Sequence, residues 1–157
     1  MKLFNKPFSE YWQFAKTGAY LLAAMAVIRF ILKPMTGLPY AQVTHFASVT
    51  NLMILLMIYF TIRGRASGFI NSYRDVLGIA ATLALSSVIL IVAGIAISNI
   101  AGIDTYYIEP GHGGGANQFV HVSLHLLFNG VGFSLFLWGV GSLVNFVMNL
   151  SRKKAVA

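Results

Sequence analysis

The sequence predicts an all-α integral membrane protein, a single domain of four transmembrane helices with both termini on the cytoplasmic side. Three observations carry that prediction. Hydrophobic residues fill 57% of the 157 positions and charged residues only 10%, against roughly 25% charged in an average soluble domain. The apolar residues fall into four long blocks rather than amphipathic stripes. The basic residues gather at the ends of those blocks on one side.

The first element expected is an amphipathic interfacial helix over residues 5–16, leading into a first span at 17–33 that Arg29 interrupts. Ala24-Met25-Ala26 resembles a signal-peptidase site, but the apolar run before it is short, so the segment is expected to stay as a span. Lys33-Pro34 and Gly37-Leu38-Pro39 read as a turn, because proline removes a backbone donor and fixes φ. The second span covers 41–62, followed by a polar connection from Arg63 to Asp75. The third, 76–98, carries no charge, and no Asp or Glu is expected within any span. A glycine-rich loop over 99–117 leads to the fourth, 119–150. Each block supplies the ~20 residues needed to cross a hydrocarbon core of ~30 Å.

Charge sets the direction. Of the eleven basic residues, nine lie at ends that four alternating spans bring together: Lys2, Lys6, Lys16, Arg63, Arg65, Arg74, Arg152, Lys153 and Lys154. The positive-inside rule places that end in the cytoplasm, and the localisation it implies is the bacterial inner (plasma) membrane. Arg29, Lys33, Asp104 and Glu109 fall on the outer side. Tyr11 and Trp12 are expected at the inner interface, Tyr106 and Tyr107 at the outer one. The net charge of +7 reports this orientation and not nucleic acid, for which no soluble basic stripe exists. Arg63, Arg65 and Arg74 lie among Phe69, Ile70 and Tyr73, a segment suited to anionic phospholipid headgroups or to a partner.

Composition also excludes chemistry. With no cysteine, disulfides, thiolate metal sites and cysteine nucleophiles are absent. Without acids in the spans, a carboxylate proton relay or a carboxylate-bridged di-iron centre has no carriers. Gly111-His112-Gly113-Gly114-Gly115 lacks the Gly-Lys-Ser/Thr ending of a phosphate loop and reads as a flexible turn.

All four histidines fall on the outer side. His45 opens the second span, His112 lies in the outer loop, and His121 and His125 open the fourth, spaced i, i+4 on one helix face. At a rise of ~1.5 Å per residue, His45 stands ~27 Å from Arg63 and His125 ~40 Å from Arg152, an interfacial depth. Such histidines either hydrogen-bond at a wet interface or contact another subunit, or they hold a ligand, for which two sets follow. His112, His121 and His125 with Glu109, or Asp104 in its place, suit a divalent metal such as zinc or copper. His45 with His121 or His125 suits the axial positions of haem b, Arg29 facing a propionate; the same cluster also suits a quinone or a lipid headgroup. Arg29, ~20 Å above Lys16, either snorkels with Lys33 to lipid phosphate or pairs with Glu109 or Asp104.

Small residues recur at packing distance: Gly94, Ser98 and Gly102; Gly78, Thr82 and Ser86; Gly130, Gly132, Ser134, Gly139 and Gly141. Asn145 and Asn149 share a face near the inner end, and Asn51 and Asn129 are polar positions toward the outer one. Two functions are thus expected in competition. One is a small accessory subunit packed against other membrane protein subunits and phospholipids, without catalysis of its own. The other is a haem- or metal-binding electron-transfer or quinone-site component using the outer histidines. A transporter is disfavoured, because the uncharged third span offers no polar path.

Overall fold

The apolar blocks are helical in the computed structural model, which describes residues 4–112 and 117–156, the side chains of 152–156 excepted. Lys2, Gly113, Gly114 and Gly115 lie outside the described residues, as do the side chains of Arg152, Lys153 and Lys154. Four helical stretches are long and apolar enough to cross a membrane: Phe8–Thr36, Tyr40–Ala66, Tyr73–Ala101 and Gln118–Ser151. In finer detail the elements are α1 (Phe8–Thr36), α2 (Tyr40–Phe46), α3 (Val49–Ala66), α4 (Tyr73–Ala101), α5 (Gln118–Leu124), and α6 (Phe133–Val156). A π-helical segment, His125–Gly132, joins α5 to α6, and the 3₁₀ turns Tyr106–Ile108 and Pro110–His112 fill the connection after α4. No strand occurs among the described residues.

The helices run up, down, up, down. Lys6, Asp75, Arg65 and Asn149 meet at one end through hydrogen bonds, and Arg29, Tyr106 and His112 gather at the other. The helix α4 is the centre of the bundle, with 61% of its span buried against 17% of the fourth. It packs mainly on α1 and α6.

Several boundaries differ from expectation, each for a local reason. The expected interfacial helix and first span are one continuous helix, because Tyr11 and Ala15 are fully buried inside the bundle. Tyr11 is therefore a core residue rather than an interfacial one. No turn forms at Lys33-Pro34. The helix α1 continues to Thr36 and ends at Gly37, whose φ of 67° lets its N–H bond the Lys33 carbonyl. Pro34 is tolerated so close to the end, where it forfeits one hydrogen bond in the final turns.

The second block is not one helix. It breaks at Ala47, and Ser48 caps α3 by accepting a hydrogen bond from the Asn51 N–H. The helices run past the expected spans and so take in two acids in their first turns. Glu10 opens α1, and Asp75, fully buried, forms a capping box with Ser72 at the start of α4. The connection before α4 folds inward instead of lying flat. Ile70 is buried, and Phe69 stacks on Phe14 at 4.1 Å between ring centroids.

Small residues let the helices close up. A Cβ on Gly78 would collide with the Tyr11 ring, and one on Gly141 with Met57 and Val76. At Gly94 the added carbon would stand 2.7 Å from the Tyr107 ring. These glycines are thus filled from within the chain. Asn149 is likewise used internally, accepting from Arg65.

Candidate metal centre

The connection from α4 to α5 builds the site. Gly102, at φ 64°, ends α4, and Thr105 caps the next 3₁₀ turn by accepting from the Tyr107 N–H at 3.2 Å. That turn drives Tyr106 and Tyr107 inward, where both are buried, rather than out to an interface. The Tyr107 hydroxyl donates to the Ala26 carbonyl at 3.2 Å, locking the connection to α1. Tyr106 stacks on Tyr40, centroids 5.0 Å apart. The second 3₁₀ turn then lays His112 against Tyr106 and beside the fourth span.

Three imidazoles meet there. His112, His121 and His125 each offer a ring nitrogen, and these nitrogens lie within 4.8 Å of one another. The Nε2 atoms of His121 and His125 stand 3.0 Å apart, so one of the two carries the proton between them. Two nitrogens bound ~2.0–2.1 Å from one tetrahedral ion would be ~3.3 Å apart. The cluster thus needs only small side-chain rotations to close on a single ion. His121 is 5% exposed, and the other two are half-buried.

The surroundings suit ligation. The Nδ1 of His112 lies 3.2 Å from the Tyr107 carbonyl, which can accept its proton and leave Nε2 with a free lone pair. Asn129, one helical turn on, holds Nδ1 of His125 through its side-chain amide. With that amide turned end for end, its oxygen accepts Nδ1–H and frees Nε2 of His125 for a metal. Burial, and after it the nearby His125 and His121, push the His112 imidazole down to about 3, opposed only by the Tyr107 carbonyl. It is therefore neutral at physiological pH, the form that binds metals. His125 opens the π-helical segment, a winding that recurs at functional sites.

Not every expected ligand arrives. Glu109 accepts from the Tyr40 N–H at 3.0 Å and faces Lys33 at 3.4 Å, so its carboxylate is held away from the imidazoles. Asp104 is bound by Lys33 at 2.7 Å. His45 is exposed on α2 with its ring against Phe46, outside the cluster, so the pair of His45 with a fourth-span histidine across one haem is not assembled.

Arg29 neither snorkels nor meets an acid. It is 7% exposed, its Nε donates to the Ala47 carbonyl at the α2–α3 break, and Nη1 donates to the Tyr106 hydroxyl at 3.1 Å. Its guanidinium also lies 4.7 Å from the Tyr106 ring centroid. A cavity of about 340 Å³ opens beside it. Its lining includes the polar Arg29, Tyr106, His112, His125 and Asn129 and the apolar Met53, Ile91 and Phe133.

Sequence reasoning noted Asn129 only as a polar position, although it continues the i, i+4 spacing of His121 and His125. The roles of the Tyr107 carbonyl and of Tyr106 have no such signal, because they depend on the turn after α4. No protein-family model matches the chain, and neither a curated protein nor a solved structure matches it.

Proposed function

We propose that this chain is an integral membrane protein that holds one divalent metal ion, zinc or copper, on His112, His121 and His125 at the end of the bundle away from its termini. The convergence of three ring nitrogens within 4.8 Å carries the reading. The Tyr107 carbonyl and Asn129 behind two of the rings support it, since outer partners of this kind orient metal-bound imidazoles. Three imidazoles leave a fourth position open, the arrangement of sites that exchange a ligand rather than closed structural ones. The basic residues at the opposite end support an outward-facing site under the positive-inside rule. The test is elemental analysis and titration of untagged protein in lipid nanodiscs with zinc and with copper(II). One ion per chain is expected, with affinity falling at least a hundredfold in the His121→Ala/His125→Ala double variant. No bound metal above background with either ion, or equal binding by the double variant, would overturn the proposal.

The accessory-subunit reading keeps one specific support. Gly132 and Gly139 lie exposed on the fourth helical stretch, and space is open beyond Gly139, as a face awaiting another helix would present. The glycines that face α1 and α3 are already occupied within the bundle and give that reading nothing.

A further inference from the structure

We infer that the cavity beside the histidines binds an oxyanion, the carboxylate or phosphate group of a small amphiphilic molecule, with Arg29 as its anchor. This goes beyond the metal proposal, because the Arg29 part holds with or without an ion on the histidines.

Arginine cannot shed its proton inside a protein, and a buried ion without a counter-charge costs several kcal/mol. Arg29 is buried and forms no ion pair among the described residues. The two acids at this end, Asp104 and Glu109, are both taken by Lys33, and none of the described residues lining the cavity is acidic. Its Nε and Nη1 are engaged, whereas Nη2 makes no hydrogen bond among the described residues. The guanidinium is thus held rigidly by Ala47 and Tyr106 with part of its donor fork unused.

The neighbours favour the same class of ligand. Tyr106 accepts from Arg29 and lines the same cavity beside Tyr40. Ser48 accepts from the Asn51 N–H, leaving its hydroxyl proton free as a further donor on the cavity wall. At ~30 Å³ per water, about 340 Å³ holds ~11 waters, more room than a bare ion uses. Met53, Ile91 and Phe133 provide an apolar wall for the remainder of the molecule. A soluble organic acid and an anionic phospholipid headgroup share this chemistry, and the experiment separates them.

The protein is stripped of metal with chelator and reconstituted in phosphatidylcholine nanodiscs, so failure of the metal proposal leaves this test intact. Inorganic phosphate and benzoate are titrated by calorimetry, and native mass spectrometry scores retention of phosphatidylglycerol from mixed nanodiscs. Saturable binding of at least one probe is expected, weakened about tenfold or more in Arg29→Gln and unchanged in the exposed-site control Lys16→Gln. Phosphate or benzoate binding identifies a soluble ligand, and phosphatidylglycerol alone identifies a headgroup. If Arg29→Gln fails to fold, the ¹⁵N resonances of the Arg29 guanidinium in the unaltered protein are followed during the same titrations, and a saturable shift is expected. Absence of Arg29-dependent binding and of any guanidinium shift with all three probes would overturn the inference.

Discussion

The two ends of the bundle treat a buried charge in opposite ways. At the terminal end, Asp75 is fully buried and every neighbour answers it. Lys6 Nζ donates at 2.9 Å, the Tyr11 hydroxyl at 3.0 Å, and the N–H groups of Asn71 and Ser72 at 2.9 and 3.1 Å. At the histidine end, Arg29 is buried with no acid, three imidazoles face one another, and a cavity adjoins them. A saturated network holds elements together and leaves nothing for a ligand to do. An unsaturated one of similar burial is costly unless something binds, and that contrast is why the histidine end is read as the site and the Asp75 end as a clasp.

The contrast can be broken most forcefully at the clasp. Asp75→Ala removes the acceptor of Tyr11, leaves Lys6 only the Phe69 carbonyl, and is expected to cost about 3 kcal/mol, the scale for removing one member of a buried pair. Denaturant unfolding in nanodiscs measures it, and zinc affinity should hold. A cost below about 1 kcal/mol would mean the clasp is not closed.

Glycine substitutions sharpen the comparison with smaller effects. Gly78→Ala drives a methyl into the Tyr11 ring, and Gly94→Ala drives one into the Tyr107 ring; each should destabilise by about 1–3 kcal/mol. Only Gly94→Ala should also weaken zinc binding, because the Tyr107 carbonyl orients His112. Gly139→Ala, with open space around it, should be neutral or stabilise by about 0.5–1 kcal/mol. Equal zinc affinities in the Gly78 and Gly94 variants would show that the Tyr107 carbonyl does not position His112.

The last effect is spread over pH, at most about 1.4 kcal/mol per unit. His112 titrates near 3 in the folded protein against 6.5 for the free side chain. Between those values the unfolded chain takes up the proton and the folded one does not, so stability is lost as pH falls from about 6.5 toward 3 and is flat above that window. Metal-free protein should show this slope in thermal unfolding, and His112→Gln should reduce it. An unchanged slope in that variant would assign the acid sensitivity elsewhere.

Much of this was legible residue by residue. Long apolar blocks announce helices because hydropathy is a local property, and the shared i, i+4 face of His121 and His125 follows from helical period alone. The helix ends were less legible. Pro34 looked like a stop yet lies inside α1, and the α2–α3 break at Ala47 carries no proline or glycine. It exists where the Ala47 carbonyl leaves the helix and receives the Arg29 guanidinium, a contact across 18 positions.

By itself, then, the sequence determined four membrane-length helices and the gathering of histidines, acids and Arg29 toward one end, since both follow from composition along the chain. The tertiary structure alone decided who meets whom there. The turn after Gly102 brings His112 to the fourth-span pair, α2 leaves His45 outside, and Lys33 takes both acids that were open to Arg29. Those choices depend on loop dihedrals and on the packing of α1 against α4, which no local pattern encodes. They leave Arg29 facing a cavity instead of a carboxylate.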